Sequence, residues 1–469
     1  MPRNENFYSI GPQNSILFPP LGLEYLAAQV EKYIEVKIVD DRIANHDSSH
    51  VKHEINSFNP DYVGIGCNYS AQNDLVLDIA RVAKSAGVKT ILGGWHPSLV
   101  PDELLSSEYV DLIVRGEGEA VFKDLVLGKD MKSIPGLSYK NGNDRVHNPD
   151  RELLDMASLK MPARHLRSHA ARKAYNFFGF PADAIEVSRG CPYDCNFCCI
   201  HHFYKKKHRY RPIDHVIREL QSDEIQKKAF YIYVVDDNFV VSPEYVKELS
   251  AAILDNGIRK FFMTQARVDM IVRRPNVFEK MAEAGFLYLF LGIESFSDKT
   301  LKQLNKRTKF KQIKQALKIL HDIGYIVQGN IILGASLDDT KEDLESTIEI
   351  ANTMDIDLPT FSLLTPFPGT PLMEKVEAED LLLTRDWSCF NWSAPTIKYK
   401  HLTSDELNHY LAKAYSDVKF FKDPGKRIMK FITNKGMRFF LSRLLQFHHL
   451  KALPGVVQNF TSLMNGTMG

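Results

Sequence analysis

Short β-branched runs alternate with amphipathic helical stretches along most of this chain, and that alternation restricts the fold more than any other feature. Apolar spacing predicts a helix over 22–33, a strand over 35–40 (EVKIVD) and a second strand over 61–67 (DYVGIGC). A helix over 73–87 and strands over 88–94 (VKTILGG) and 110–114 (VDLIV) follow. Apolar strands separated by helices form a parallel sheet covered on both faces, so residues 1–128 read as a doubly wound, Rossmann-like α/β domain. Ligands of such sheets bind beyond the carboxyl ends of the strands. Those ends carry Asp40 and Asp41, then CNYS at 67–70, GGWHPS at 93–98 and GEGE at 116–119.

Residues 129–180, with Pro135, Gly136, Asn141-Gly142-Asn143, Pro149 and Pro162, read as a hairpin and linker. The alternation then resumes, with strands over 184–188, 230–235, 261–265, 286–292, 325–333 and 360–364. Helices are expected over 213–228, 243–256, 276–285, 311–324 and 341–354. Six such units over 181–400 fit a partial (β/α)6 barrel better than a second open sheet, and either closure puts chemistry at the strand C-termini. Residues 401–469 read as a helical, basic C-terminal region.

Composition narrows the class. The chain has 469 residues, 44% hydrophobic and 25% charged, with 59 Lys+Arg against 58 Asp+Glu. That length predicts more than one core, and the near-neutral balance gives no sign of a nucleic-acid partner. No run of about 18 apolar residues occurs, and the first residues lack a signal-peptide core, so a cytoplasmic protein is expected. There are six cysteines, too few for a disulfide framework, and four of them lie between 191 and 199.

Cys191-Pro-Tyr-Asp-Cys195-Asn-Phe-Cys198 places three thiols on one loop directly after the first strand of the second domain. Three thiolates can hold three corners of a cubane iron–sulfur cluster and leave one iron open for inner-sphere chemistry. Arg189-Gly190 supplies a tight turn and a positive charge beside it. The competing reading is a zinc site, with Cys199, His201 or His202 as fourth ligand. Cys67, Cys199 and Cys389 read as structural, with a hydrogen-atom donor as the alternative for Cys389.

This motif resembles the signature of the radical S-adenosylmethionine (SAM) superfamily, C-x3-C-x-aromatic-C, with Phe197 in the aromatic position. Further landmarks match in order: YVVDDNF at 233–239, QARVD at 265–269, GIES at 292–295, GNIILG at 329–334 and TPFPGT at 365–370. The resemblance implies a [4Fe-4S] cluster on Cys191, Cys195 and Cys198 that chelates SAM and cleaves it reductively to a 5′-deoxyadenosyl radical. It also implies that Phe197 adjoins the cofactor, that Asp236 and Asp237 meet the SAM amino group and Arg267 its carboxylate, and that Glu294 meets its ribose or the substrate. A reducing partner such as flavodoxin or ferredoxin is expected.

PPLGL at 19–23, GGWHPS and RGEGE at 115–119 look like the cobalamin-binding domain fused ahead of such barrels. That subfamily includes methylases of unactivated carbon, hopanoid lipid methylases and the anaerobic magnesium-protoporphyrin ester cyclase. Ser70, Gly93, Gly94 and Glu117 are then expected to face cobalamin. The D-x-H-x-x-G motif that ligates cobalt from below is absent, since Asp41 to His46 lacks its spacing, so cobalamin would bind with its lower face free or water-bound. The strand expected before the first helix is reduced to NSILF at 14–18. His96 reads as a loop hydrogen-bonding residue rather than a cobalt ligand, and GEGE as either a site element or a solvated turn.

The resemblance implies methylation of an unactivated carbon on a small-molecule or lipid substrate, with oxidative cyclisation as the alternative reaction and a non-catalytic sensor as the alternative class. The run KKKHRYR at 205–211 is a solvated face or a contact for an anionic substrate or reductant. Between Lys413 and Lys451 ten Lys or Arg stand against two Asp, with apolar residues interleaved. Such a segment fits peripheral contact with an anionic membrane, or a helical cap on the barrel.

Overall fold

The computed structural model describes residues 16–43, 48–177 and 179–418. Its strands, in chain order, are β1 (Ile16–Leu17), β2 (Tyr62–Gly66), β3 (Lys89–Gly93), β4 (Leu112–Val114), β5 (Leu137–Asn141), β6 (Asp144–His147), β7 (Asn176–Phe177) and β8 (Phe180–Ile185). Then follow β9 (Ser188–Arg189), β10 (Arg209–Tyr210), β11 (Tyr231–Val234), β12 (Phe261–Ala266), β13 (Phe286–Glu294), β14 (Ile326–Leu333) and β15 (Leu358–Leu363).

The first sheet runs β2-β3-β4-β5-β6. Its first three strands are parallel, and the β5–β6 hairpin joins antiparallel to β4. Alternate residues supply opposite faces: Leu92 and Ile113 pack with Val76, Ala80 and Leu104, while Ile91, Leu112 and Val114 pack with Val121 and Leu125. The expected strand over 35–40 does not form. Val36 and Ile38 pack beside Ala27, Ala28 and Ala163 instead, so the alternation in EVKIVD marks a packed extended segment and not a sheet ladder. β1 likewise pairs with β7, antiparallel, and so belongs to the second sheet.

The second sheet is β1-β7-β8-β11-β12-β13-β14-β15, and its six strands from β8 to β15 are parallel throughout. This is the expected partial barrel. Outward residues such as Ile232, Val234, Leu289, Leu291, Val327 and Phe361 form a large core with the helices. Inward, Tyr231, Phe261, Met263 and Tyr288 plug the N-terminal end. Further along the strands the interior turns polar, where Gln265 donates to the Tyr233 hydroxyl (3.1 Å) and Tyr288 donates to Gln328 (2.9 Å).

Several barrel helices begin at Ser or Thr caps, including Ser242 before Pro243–Asp255 and Thr340 before Lys341–Thr353, because those hydroxyls accept otherwise unpaired backbone N–H groups. The single helix expected over 213–228 is two, Ile213–Leu220 and Asp223–Lys228, broken where the Ser222 hydroxyl donates to the Glu219 carbonyl. Helix Ser404–Asp417 packs Leu407, Tyr410 and Ala414 onto the barrel core. The basic stretch from 419 onward lies outside the described residues. No helix among the described residues is long and apolar enough to cross a membrane.

Buried ion pairs fasten the two halves. Arg167 donates to Glu24 on helix Leu21–Val30 (2.6 and 2.8 Å) and to Asp183 on β8 (2.7 and 3.0 Å). Arg164 bridges Asp183 and Glu219.

Candidate active site

The loop after β9 begins at Gly190, whose φ is +90° and whose Cβ, if present, would lie 2.2 Å from the Lys207 carbonyl oxygen. Only glycine fits there. The Cys191 sulfur accepts from Asn238 Nδ2 (3.7 Å) and the Cys195 sulfur from Arg267 Nη1 (3.8 Å). The Cys198 amide donates to the Cys195 carbonyl (3.2 Å). Burial, followed by the charges of neighbouring cysteines, pushes the Cys198 thiol well above its ordinary range. The loop is pinned to the barrel rim, where Asn196 donates to the Leu304 and Gln303 carbonyls (3.2 and 2.7 Å) and Phe197 packs against Leu304, Ile332 and Leu364.

Among the described residues no three His, Cys, Asp or Glu converge on a single metal ion. Hydrogen bonds to the sulfurs are one of the means by which a protein tunes an iron–sulfur cluster, and the Asn238 and Arg267 contacts supply two of them.

Arg267 is 7% exposed and is built into this loop. Its guanidinium lies 3.6 Å from the centre of the Tyr193 ring, pairs with Asp269 (3.0 Å) and donates to the Lys306 carbonyl (2.6 Å). Asp236 uses both oxygens internally, accepting from the Val187 amide (2.8 Å) and the Ser188 hydroxyl (2.5 Å). Asp237 faces the cavity described below and accepts from the Gly190 amide (3.2 Å). Burial raises its carboxyl to about 7.

Glu294 ends β13 at a φ of +65°, where the β13–β14 register shifts. Its carboxylate pairs with the buried Lys306 (2.6 Å) and accepts from Asn330 (3.3 Å). A Cβ on Gly292 would come within 2.5 Å of that carboxylate and 2.7 Å of the ammonium, so a side chain there would have to displace the ion pair.

In the first domain, Gly93 and Gly94 line the cavity, and Gly94 has a φ of +111° with the Cys67 carbonyl where a side chain would stand. Ser70 points elsewhere. Its hydroxyl is hydrogen-bonded to His96 Nδ1 (3.0 Å) in a small neighbouring void that Cys199 also lines. Burial lowers the His96 ring to about 4, so it is neutral.

Glu117 borders the cavity, but its carboxylate is taken by Arg189 (2.9 Å), Arg209 (2.9 and 3.0 Å) and the Leu154 amide (2.6 Å). Arg189 also pairs with Glu119 (2.6 Å) and Glu186 (2.9 Å). GEGE is therefore an interdomain latch and not a solvated turn, and the Arg189 charge is answered by three carboxylates. Sequence reading missed Lys306, and it took 205–211 as a solvated face or an anion contact, whereas Arg209 pairs with Glu117 and Arg211 is buried against Glu219; nothing local to these positions marks their partners.

The cavity between the two sheets measures about 1750 Å³. It exceeds the roughly 300–1,000 Å³ of ordinary small-molecule pockets. Gly93, Trp95 and Tyr69 line it from the first domain, and Tyr233, Asp237 and Gln265 line it from the barrel.

Residues 17–126 match the B12 binding domain and residues 185–351 the radical SAM superfamily. An uncharacterised methyltransferase of Pyrococcus horikoshii is 32% identical over 436 residues, covering 91% of this chain and 93% of that protein. The hopanoid C-3 methylase of Methylococcus capsulatus is 29% identical over 385 residues, covering 79% of this chain and 71% of that protein. The structure of OxsB, a cobalamin-dependent SAM radical enzyme with aqua-cobalamin and SAM bound, shares the fold. Its TM-score is 0.71 at 16% identity, covering 97% of this chain and 78% of that one.

The chain belongs to the radical SAM superfamily, in the group that carries an N-terminal B12-binding domain. It is an enzyme of the cobalamin-dependent methylase type, with a [4Fe-4S] cluster, SAM and cobalamin as cofactors.

Proposed function

We propose that this enzyme transfers a methyl group to an unactivated carbon of an apolar small molecule or lipid held in the interdomain cavity. When bound, the cluster supplies the electron that cleaves SAM and cobalamin supplies the methyl group. The observation that carries this reading is the cavity itself, whose walls include carboxyl-end residues of both sheets, Gly93 and Gly94 from the first and Tyr233, Asp237 and Gln265 from the second.

Cys191, Cys195 and Cys198 hold the cluster, with Asn238 and Arg267 donating to two of the sulfurs. Asp237 lines the cavity on the barrel side and is the residue offered to SAM, Phe197 packs the cysteine loop onto the barrel rim, Glu294 holds Lys306 at the end of β13, and Arg267 and Asp236 position the loop that carries the ligands. Gly93 and Gly94 let the first domain's backbone approach cobalamin closely, and Ser70 orients His96 behind it. Aromatic residues at the rim, Tyr69, Trp95 and Phe203, exclude water from the reacting carbon and favour an apolar substrate. The six free cysteines fit a reducing, cytoplasmic setting, and the basic segment beyond 418 fits contact with a membrane that supplies a lipid substrate.

Anaerobic turnover with reconstituted cluster and cobalamin is expected to yield 5′-deoxyadenosine together with S-adenosylhomocysteine. Cys191→Ala should abolish the cluster absorbance and both products. A fully active variant overturns the assignment, and deoxyadenosine without S-adenosylhomocysteine moves the reaction to cyclisation.

A further inference from the structure

The small void beside the main cavity measures about 40 Å³ and is walled by Tyr69, Trp95 and Leu99 of the first domain and by Cys199, Phe367 and Trp392 of the second. Asn68, Tyr69 and Trp95 line both spaces, so the two adjoin. His96 gives the void a polar point. Its ring is 2% exposed, its Nδ1 is hydrogen-bonded to the Ser70 hydroxyl (3.0 Å), and its Nε2 is buried with no hydrogen-bond partner among the described residues. A buried polar atom left without a partner is costly, so such an atom marks the place of a ligand or a water.

The aromatic wall is fixed from both domains. Trp392 stands at a φ of +61°, a conformation rare for a bulky side chain, and its carbonyl accepts from the Leu363 amide (2.7 Å) at the end of β15. Its ring packs against Tyr69 (5.4 Å) and Phe367 (5.0 Å). Trp387 meets the His96 ring edge-on (5.0 Å) and donates its indole N–H to Glu103 (2.5 Å). Size and charge then narrow the occupant. A water needs at least about 10–15 Å³, so this void takes a water or the end of a chain, but no ring. Aromatic and aliphatic walls around a neutral imidazole disfavour an ammonium or a carboxylate. A hydroxyl suits either tautomer of His96, since it accepts from an Nε2 that carries hydrogen and donates to one that does not.

We propose that this void is the subsite for a terminal hydroxyl of the substrate, hydrogen-bonded to His96 Nε2, with the apolar remainder of the molecule in the main cavity. The inference rests on the reading of that cavity as the substrate site and deepens it, to an apolar alcohol. The shared wall sets the void next to the space that would hold the stem. A hydroxyl that displaces a water here keeps the bond to Nε2, while its carbon gains contact with the rings. His96 is then a specificity-determining residue, and Ser70 the positioning residue that fixes its ring.

The chain supplies its own probe, because its three tryptophans, Trp95, Trp387 and Trp392, all stand at this void or against His96. Tryptophan emission of the full chain is followed during titration with ethanol, 1-octanol, ethylammonium and acetate. Ethanol should give a saturable shift, and the two ions of similar size none. 1-Octanol, whose stem reaches the main cavity, should bind at least about ten-fold more tightly than ethanol. His96→Leu, which removes the ring nitrogens, and Leu99→Phe, which fills the void, should each weaken ethanol binding by about ten-fold. Circular dichroism confirms that each variant is folded. An unsaturable response of the wild type to ethanol leaves the void to water and overturns the proposal, as does equal binding by the wild type and both folded variants. Equal affinity for ethanol and 1-octanol removes the link to the main cavity and overturns it as well. Emission requires neither cluster nor SAM, so failure here and failure to form 5′-deoxyadenosine are separate results.

Discussion

At the scale of single residues, the site is built from side chains that hold each other. Arg267 and Asp236 stand at barrel strand ends, where a sequence reading assigns them to SAM. Their partners are Tyr193, Asp269 and Lys306 in one case and Val187 and Ser188 in the other. Position along the chain shows which residues reach the site, but bonding partners decide whether they face ligand or brace the wall. His96 illustrates a consequence that can be measured. Its ring is 2% exposed and neutral, with a pKa near 4, while the unfolded chain protonates near 6.5. The unfolded state therefore binds the extra proton between those values, so stability is full above about 6.5 and declines as pH falls toward 4. In His96→Phe the acid limb of a urea-midpoint profile should be shallower, by up to about 1.4 kcal/mol per pH unit. An unchanged limb would contradict a buried neutral ring.

At the scale of elements, short apolar runs between helical stretches exposed almost every barrel strand, because each buries one face against helices and the other in the barrel. The same pattern misled at 35–40, where a neighbouring helix and loop give Val36 and Ile38 an apolar surface without a ladder. The end of β13 was legible only as a motif. Its shifted register and the left-handed Glu294 turn that carboxylate onto Lys306, a pairing across two elements that no local pattern reveals. Because Lys306 is buried, Glu294→Ala leaves an ammonium without its counter-charge and should destabilise the chain by about 3–5 kcal/mol. Glu294→Gln, which keeps a hydrogen-bond acceptor, should lose less. Chemical denaturation checks the order, and equal stability of all three proteins would remove the pair from the account.

At the scale of the whole molecule, a near-neutral total conceals a junction of buried opposite charges. Glu117 and Glu119 of the first domain meet Arg189 and Arg209 of the second, so replacing both acids should loosen the halves. In Glu117→Ala/Glu119→Ala, limited proteolysis within 129–180 should run about ten-fold faster, the population change expected from about 1.4 kcal/mol of lost docking energy. Digestion at the wild-type rate would show that the latch contributes nothing to closure. One residue of that latch has wider reach. Arg189 is two positions before Cys191, and only Gly190 separates the latch from the first metal ligand. Whatever orders the cysteine loop also restrains Arg189, and whatever grips Arg189 narrows the conformations open to the loop. Thermodynamic reciprocity then requires that any effect of the latch on filling the metal centre be matched by an equal effect of filling that centre on the latch.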